Sequence, residues 1–213
     1  MNKENLALRL RAVPLIAIAR NVPPELLPGA ARALLDGGFR FLEVTMNSEG
    51  VLDSIRALKE EFAGTDLAIG AGTVLTAGDA KAALEAGAEF LVCPHTDAAV
   101  IRAALEADAL PLPGVMTPTE VAAALAAGAE FLKLFPAGAL GPGYVKALRG
   151  PFDKATFLAV GGVDETTAPA FLKAGCVGFG LGSTLLSAST AADPETLRAT
   201  AARWTALVTG SRS

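Results

Sequence analysis

A single histidine and two cysteines among 213 residues close several classes of function at once. A three-histidine zinc site cannot be assembled from His95, and any Ser-His-Asp triad would have to use that one residue. His95 stands in Cys93-Pro94-His95-Thr96-Asp97, which reads as an exposed loop entering a helix. Cys93 and Cys176 are too few for a disulfide framework and read as two buried free thiols of a reducing compartment. No apolar run nears the roughly 18–20 residues a membrane helix needs. The seven apolar positions from Val13 to Ala19 stop at Arg20, with Glu4 upstream, so the start makes a poor signal peptide and a cytoplasmic address is expected. Basic charge is also short. Eighteen Lys and Arg face 22 Asp and Glu, which argues against a general nucleic-acid binder but leaves room for a local anion site.

What the chain has in quantity is apolar surface. Hydrophobic residues make up 52%, and mean hydropathy is +0.44. Strands of a parallel sheet covered by helices, buried on both faces, give such a composition. Short apolar runs alternate with Ala/Leu-rich amphipathic stretches. The runs are Pro14–Ala19, Phe39–Thr45, Leu67–Ala71, Phe90–Val92, Leu110–Pro113, Phe131–Phe135, Phe157–Val160 and Val177–Leu181. Their starts lie about 20–28 residues apart, the length of one strand, one helix and two short loops. A tetrad recurs between helix and strand: Asp36-Gly37-Gly38-Phe39, Glu85-Ala86-Gly87-Ala88, Ala126-Ala127-Gly128-Ala129 and Lys173-Ala174-Gly175-Cys176. Eight βα units without a linker predict one (β/α)8 barrel domain over residues 1–213, a TIM barrel with an extra helix near Lys3–Arg11. A doubly wound open sheet is the alternative, because periodicity does not show closure.

In a barrel the chemistry sits at the C-terminal ends of strands. Phe131-Leu132-Lys133-Leu134-Phe135 places a lysine in the middle of an apolar strand, and period two puts it on one face with the two phenylalanines. If the leucines meet the helices, Lys133 points into the barrel. A desolvated amine has a lowered pKa and can attack carbonyls. Phe41, Glu43 and Thr45 likewise share a face of their strand, and a buried acid needs either a partner or a task. A structural Glu43–Lys133 ion pair is the plain alternative to proton transfer in Schiff-base chemistry. Arg20 follows the first strand. Gly161 and Gly162, and then Gly182 and Ser183, follow the seventh and eighth, where barrels often hold phosphate on backbone N–H groups. Thr73 adds a hydroxyl after the third.

Five segments together carry a family resemblance: Leu42-Glu43-Val44-Thr45, Gly70-Ala71-Gly72-Thr73-Val74-Leu75, Pro113-Gly114-Val115-Met116-Thr117-Pro118-Thr119-Glu120, Leu132-Lys133-Leu134-Phe135-Pro136 and Val160-Gly161-Gly162-Val163. The chain resembles the class I pyruvate aldolases of 2-keto-3-deoxy-6-phospho sugar acids from Pro14 to about Ser183. The resemblance implies Lys133 as the Schiff-base lysine, Glu43 as the acid/base and Thr73 as a substrate contact. It also implies a lyase with no metal or organic cofactor, a small phosphorylated 2-keto-3-deoxy acid as substrate, and a homotrimer, while the charge balance and the short apolar runs argue against a nucleic-acid or membrane partner. Where the phosphogluconate branch usually carries an arginine for the substrate carboxylate, this chain has Asn47, as in the branch acting on 2-dehydro-3-deoxy-6-phosphogalactonate. Arg20 is then the available cation. A phosphogluconate or broad-specificity keto-acid aldolase, and a non-catalytic phosphosugar-binding barrel, are the alternatives.

Overall fold

The computed structural model describes residues 2–210; Met1 and residues 211–213, which the expected domain span includes, lie outside the described residues. Nine strand segments run β1 (Leu15–Ala19), β2 (Phe41–Thr45), β3 (Ala68–Gly72), β4 (Phe90–Val92), β5 (Leu110–Leu112), β6 (Gly114–Val115), β7 (Phe131–Leu134), β8 (Thr156–Val160) and β9 (Gly178–Leu181). All pairings are parallel, in the order β5-β4-β3-β2-β1-β9-β8-β7-β6. The two ends of that order are consecutive in the chain. Leu110–Leu112 bonds back to β4, and Gly114–Val115 bonds forward to β7. They are halves of one barrel strand interrupted at Pro113, which has no N–H for a ladder but whose carbonyl accepts from Lys133 N–H at 2.9 Å. The barrel is closed, and the open-sheet alternative falls.

Helices cover the outside: α1 (Lys3–Ala12), α2 (Leu27–Asp36), α3 (Val51–Glu61), α4 (Ala77–Glu85), α5 (Ala98–Glu106), α6 (Pro118–Ala126), α7 (Ala137–Arg149), α8 (Ala168–Ala174), α9 (Ala188–Ala191) and α10 (Pro194–Gly210). The start of α6 is the one expected at Thr117-Pro118. The Thr117 hydroxyl accepts from Glu120 N–H, and the Glu120 carboxylate accepts from Thr117 N–H at 2.7 Å. Each helix-to-strand tetrad turns on its third residue, which has a left-handed backbone at Gly38, Gly87, Gly128 and Gly175. A fifth copy, Glu106-Ala107-Asp108-Ala109, does the same with Asp108 at φ 56°. The repeat was hidden there because aspartate tolerates that conformation better than most side chains.

Burial divides the apolar residues by strand parity. Outward positions such as Leu42, Val44, Leu132 and Leu134 pack against the helices, with Trp204 of α10 edge-on to Phe179. Inward positions Ile16, Phe41, Phe90, Leu110, Phe131 and Leu158 form a separate cluster with Leu6, Ala7 and Leu10 of α1. The helix is a plug. Its ion pairs Arg9–Asp66 (2.9 Å) and Arg11–Glu130 (2.6 Å) tie it to loops that lead into β3 and β7, so it closes the N-terminal end. The mouth at the other end stays open for a site.

Candidate functional site

The second inward residue of β2 and of β7 sits one layer above the apolar plug. These are Glu43, 1% exposed, and Lys133, 4% exposed. Both are therefore inside the barrel, as period two requires. Space for the carboxyl comes from β3, because a Cβ at Gly72 would run into the Glu43 carboxylate. In the sequence Gly72 figures only within the Gly70–Leu75 segment of the family resemblance, with no role of its own. The register sets position 72 opposite Thr45, beside the strand of the buried acid, and that pairing is seen only in the folded sheet.

Neither charge is neutralised in the ordinary way. Glu43 Oε2 is buried without a hydrogen-bond partner. Burial raises the Glu43 pKa to about 7, against the pull of the Lys133 and Arg20 charges. Burial also lowers the Lys133 pKa; Glu43 opposes that shift and Arg20 adds to it. The Lys133 ammonium lies 5.0 Å from the centre of the Phe135 ring. The thiol of Cys93, pushed up to about 12 mainly by burial, stays protonated and unreactive nearby. A simple structural ion pair would leave the acid satisfied and its pKa low. Here an acid near neutrality faces an amine that gives up its proton more easily than a surface lysine does.

Lys133 opens onto a cleft of about 330 Å³ at the C-terminal mouth. Arg20, Gly161, Gly182 and Ser183 line it, together with Ile18, Asn21, Phe135, Val160, Gly180, Leu186, Ser187 and Ala188. Arg20 reaches over the mouth and donates to Thr73 Oγ1 at 3.3 Å. Thr73 and Asn21 both have left-handed backbone, φ 55° and 53°, a costly conformation for a β-branched threonine and a common place for strain at functional sites. Gly162 stands just outside the lining, also at positive φ, against Gly138 of α7. Asn47 is exposed on the turn after β2 and is not part of the lining. His95 is half-buried rather than exposed, because the loop after β4 folds in to accept the Gly114 N–H at its carbonyl (3.1 Å).

The family model described as KDPG and KHG aldolase matches residues 4–201. The chain belongs to that family. It is 41% identical over 175 residues, 81% of each chain, to a probable 2-dehydro-3-deoxy-6-phosphogalactonate aldolase of Rhizobium meliloti (strain 1021). To the 2-dehydro-3-deoxy-6-phosphogalactonate aldolase of Escherichia coli (strain K12) it is 39% identical over 178 residues, 83% of this chain and 86% of that one. A solved structure described as native KDPGal superposes with a TM-score of 0.87 at 35% identity, covering 93% of this chain and 97% of that one. Aldolases are lyases, and the chain is an enzyme of that kind. No helix among the described residues is long and apolar enough to cross a membrane.

Proposed function

We propose that the chain is a Schiff-base aldolase that splits 2-dehydro-3-deoxy-6-phosphogalactonate into pyruvate and glyceraldehyde 3-phosphate. The observation that carries this is the buried pair, with Lys133 at the floor of the cleft and Glu43 shifted to about pH 7 beside it. Lys133 attacks the C2 ketone as free amine, and its lowered pKa supplies that form. Glu43 protonates the departing hydroxyl of the carbinolamine and, as carboxylate, takes the C4 hydroxyl proton while the C3–C4 bond breaks. The bond's electrons pass to the cationic imine, leaving an enamine. Protonation at C3 and hydrolysis of the imine free pyruvate and regenerate the amine. The lysine is the electron sink, so the cycle needs neither metal nor organic cofactor.

Arg20 and Thr73 take one anionic end of the substrate, and backbone N–H groups at Gly161, Gly162 and Gly182, with the Ser183 hydroxyl, take the phosphate. Asn47, neutral and on the rim outside the cleft lining, meets the substrate only where the sugar chain leaves the cleft, so Asn47→Ala is expected to raise KM slightly and leave kcat unchanged. The working assembly is a homotrimer, a reading supported by the family resemblance, and its address is the cytoplasm, a reading supported by the two buried free thiols.

Borohydride reduction in the presence of pyruvate tests the chemistry. A stable adduct on Lys133 alone is expected, and an adduct mapped to Lys146 or Lys154, or no adduct, overturns it. Side-by-side assay of the two C4 epimers separates the phosphogalactonate reading from the phosphogluconate one. Activity that survives exhaustive EDTA treatment is expected, and sedimentation at working concentration reads the trimer.

A further inference from the structure

Two buried hydroxyls link the strand that carries Glu43 to the turn that carries Arg20. Thr45, two residues past Glu43 at the end of β2, is fully buried, and Ser48 is nearly so. Their Oγ atoms are 2.9 Å apart, and the Ser48 N–H donates to the Thr45 carbonyl at 2.8 Å. Ser48 Oγ in turn accepts the N–H of Asn21 at 3.0 Å. Asn21 directly follows Arg20, lines the cleft with it, and has the left-handed backbone already noted. Asparagine enters that conformation more readily than most side chains, and the hydrogen bond from its own N–H to Ser48 fixes it there.

Arg20 needs such help. It is exposed beyond the end of β1, and its guanidinium meets Thr73 Oγ1 only at 3.3 Å, a long hydrogen bond. A rotamer-rich side chain on a free rim loses entropy when a ligand orders it, and a fixed backbone beneath reduces that loss. We propose that Ser48 is a positioning residue for anion recognition. Its hydroxyl, seated on Thr45, holds the Asn21 turn and so aims Arg20 across the mouth. The inference rests on the reading that Arg20 takes an anionic end of the substrate.

A double-mutant cycle on the phosphorylated substrate tests both separately, with thermal melts to confirm folding. Ser48→Ala is expected to raise KM about 5- to 10-fold, the scale of one lost neutral hydrogen bond, with kcat within about twofold. Ser48→Thr, which keeps the hydroxyl, should restore KM. The pair Ser48→Ala with Arg20→Ala should match Arg20→Ala alone, because the serine has nothing left to aim. If Ser48→Ala does not fold, Thr45→Val removes the same link from the other side and carries the same expectation. Multiplying effects in the double mutant, or an unchanged KM in Ser48→Ala while Arg20→Ala is impaired, overturns the positioning role alone. Wild-type behaviour of Arg20→Ala overturns the assignment of Arg20, and the positioning role with it.

Discussion

Two glutamates are buried among the described residues, and the contrast between them separates architecture from chemistry. Glu89 lies just before β4, toward the plugged end. Its Oε1 meets Lys59 Nζ at 2.7 Å, and its Oε2 accepts the Ile69 N–H at 3.2 Å. Glu43 is buried even more completely on β2, yet its Oε2 bonds to nothing and its pKa climbs to about 7. Burial is nearly equal, so burial is not what marks a functional carboxyl. The difference is satisfaction. The engaged acid braces the fold through its two contacts, whereas Glu43, left unengaged, has both protonation states within reach near neutrality.

The lysine partners should diverge most. Lys133→Met keeps length and packing but removes the amine, so turnover should vanish while urea unfolding stays close to wild type. Lys59→Met should do the reverse. Its side chain is 38% exposed, which screens the pair, so the expected loss is about 1–2 kcal/mol of stability with kcat unchanged. Turnover surviving in Lys133→Met, or dying in Lys59→Met, would erase the distinction.

The glutamates themselves come next. Glu43→Gln should lose about 10²–10⁴-fold in kcat, the usual worth of a general acid/base, and Glu89→Gln should stay within about twofold. In the free enzyme kcat/KM should rise with pH through a limb near 7 as Glu43 becomes a base. Stability should move the other way. The unfolded carboxyl releases its proton near 4.5 and the folded one near 7, so between those values the native state binds more protons and unfolding becomes easier as pH rises. That difference amounts to on the order of 3 kcal/mol. Urea titrations across that window should show the slope in wild type and Glu89→Gln, and a smaller one in Glu43→Gln.

Parity along a strand was legible because it needs only the period of two and the identity of the neighbours. That sufficed for Lys133 and Glu43, and the tetrads with their glycines sufficed for the βα repeat. Closure was not legible, since it depends on one strand changing partners at Pro113, a pairing that no local pattern encodes. The plug was half legible: the sequence shows a helix near Lys3–Arg11, but its place depends on Asp66 and Glu130 far along the chain. Rim residues were the least readable. Arg20 and Asn47 are both polar positions after a strand, and only the turns beneath them decide that one lines the cleft and the other does not.

The smallest expected effect concerns the mouth glycines, and it shows which of them can be tested at all. Gly162 has a left-handed backbone, and a side chain there would press on Gly138, so any substitution mixes strain with ligand contact. Gly161 has the same backbone problem and faces the Phe135 ring. Gly182 differs, because its φ is ordinary and nothing stands within 4 Å of where a Cβ would go. Gly182→Ala therefore adds one methyl to open space at the edge of the cleft and leaves the fold alone. If a phosphate sits against that backbone, the methyl should raise KM several-fold for the phosphorylated substrate and leave a non-phosphorylated keto acid unaffected, because binding energy is lost only where the phosphate is present. Equal KM changes for both substrates would mean the methyl obstructs the cleft in general. No change for either would remove the phosphate from the turn after β9 and leave Arg20 as the one cation assigned to an anionic group.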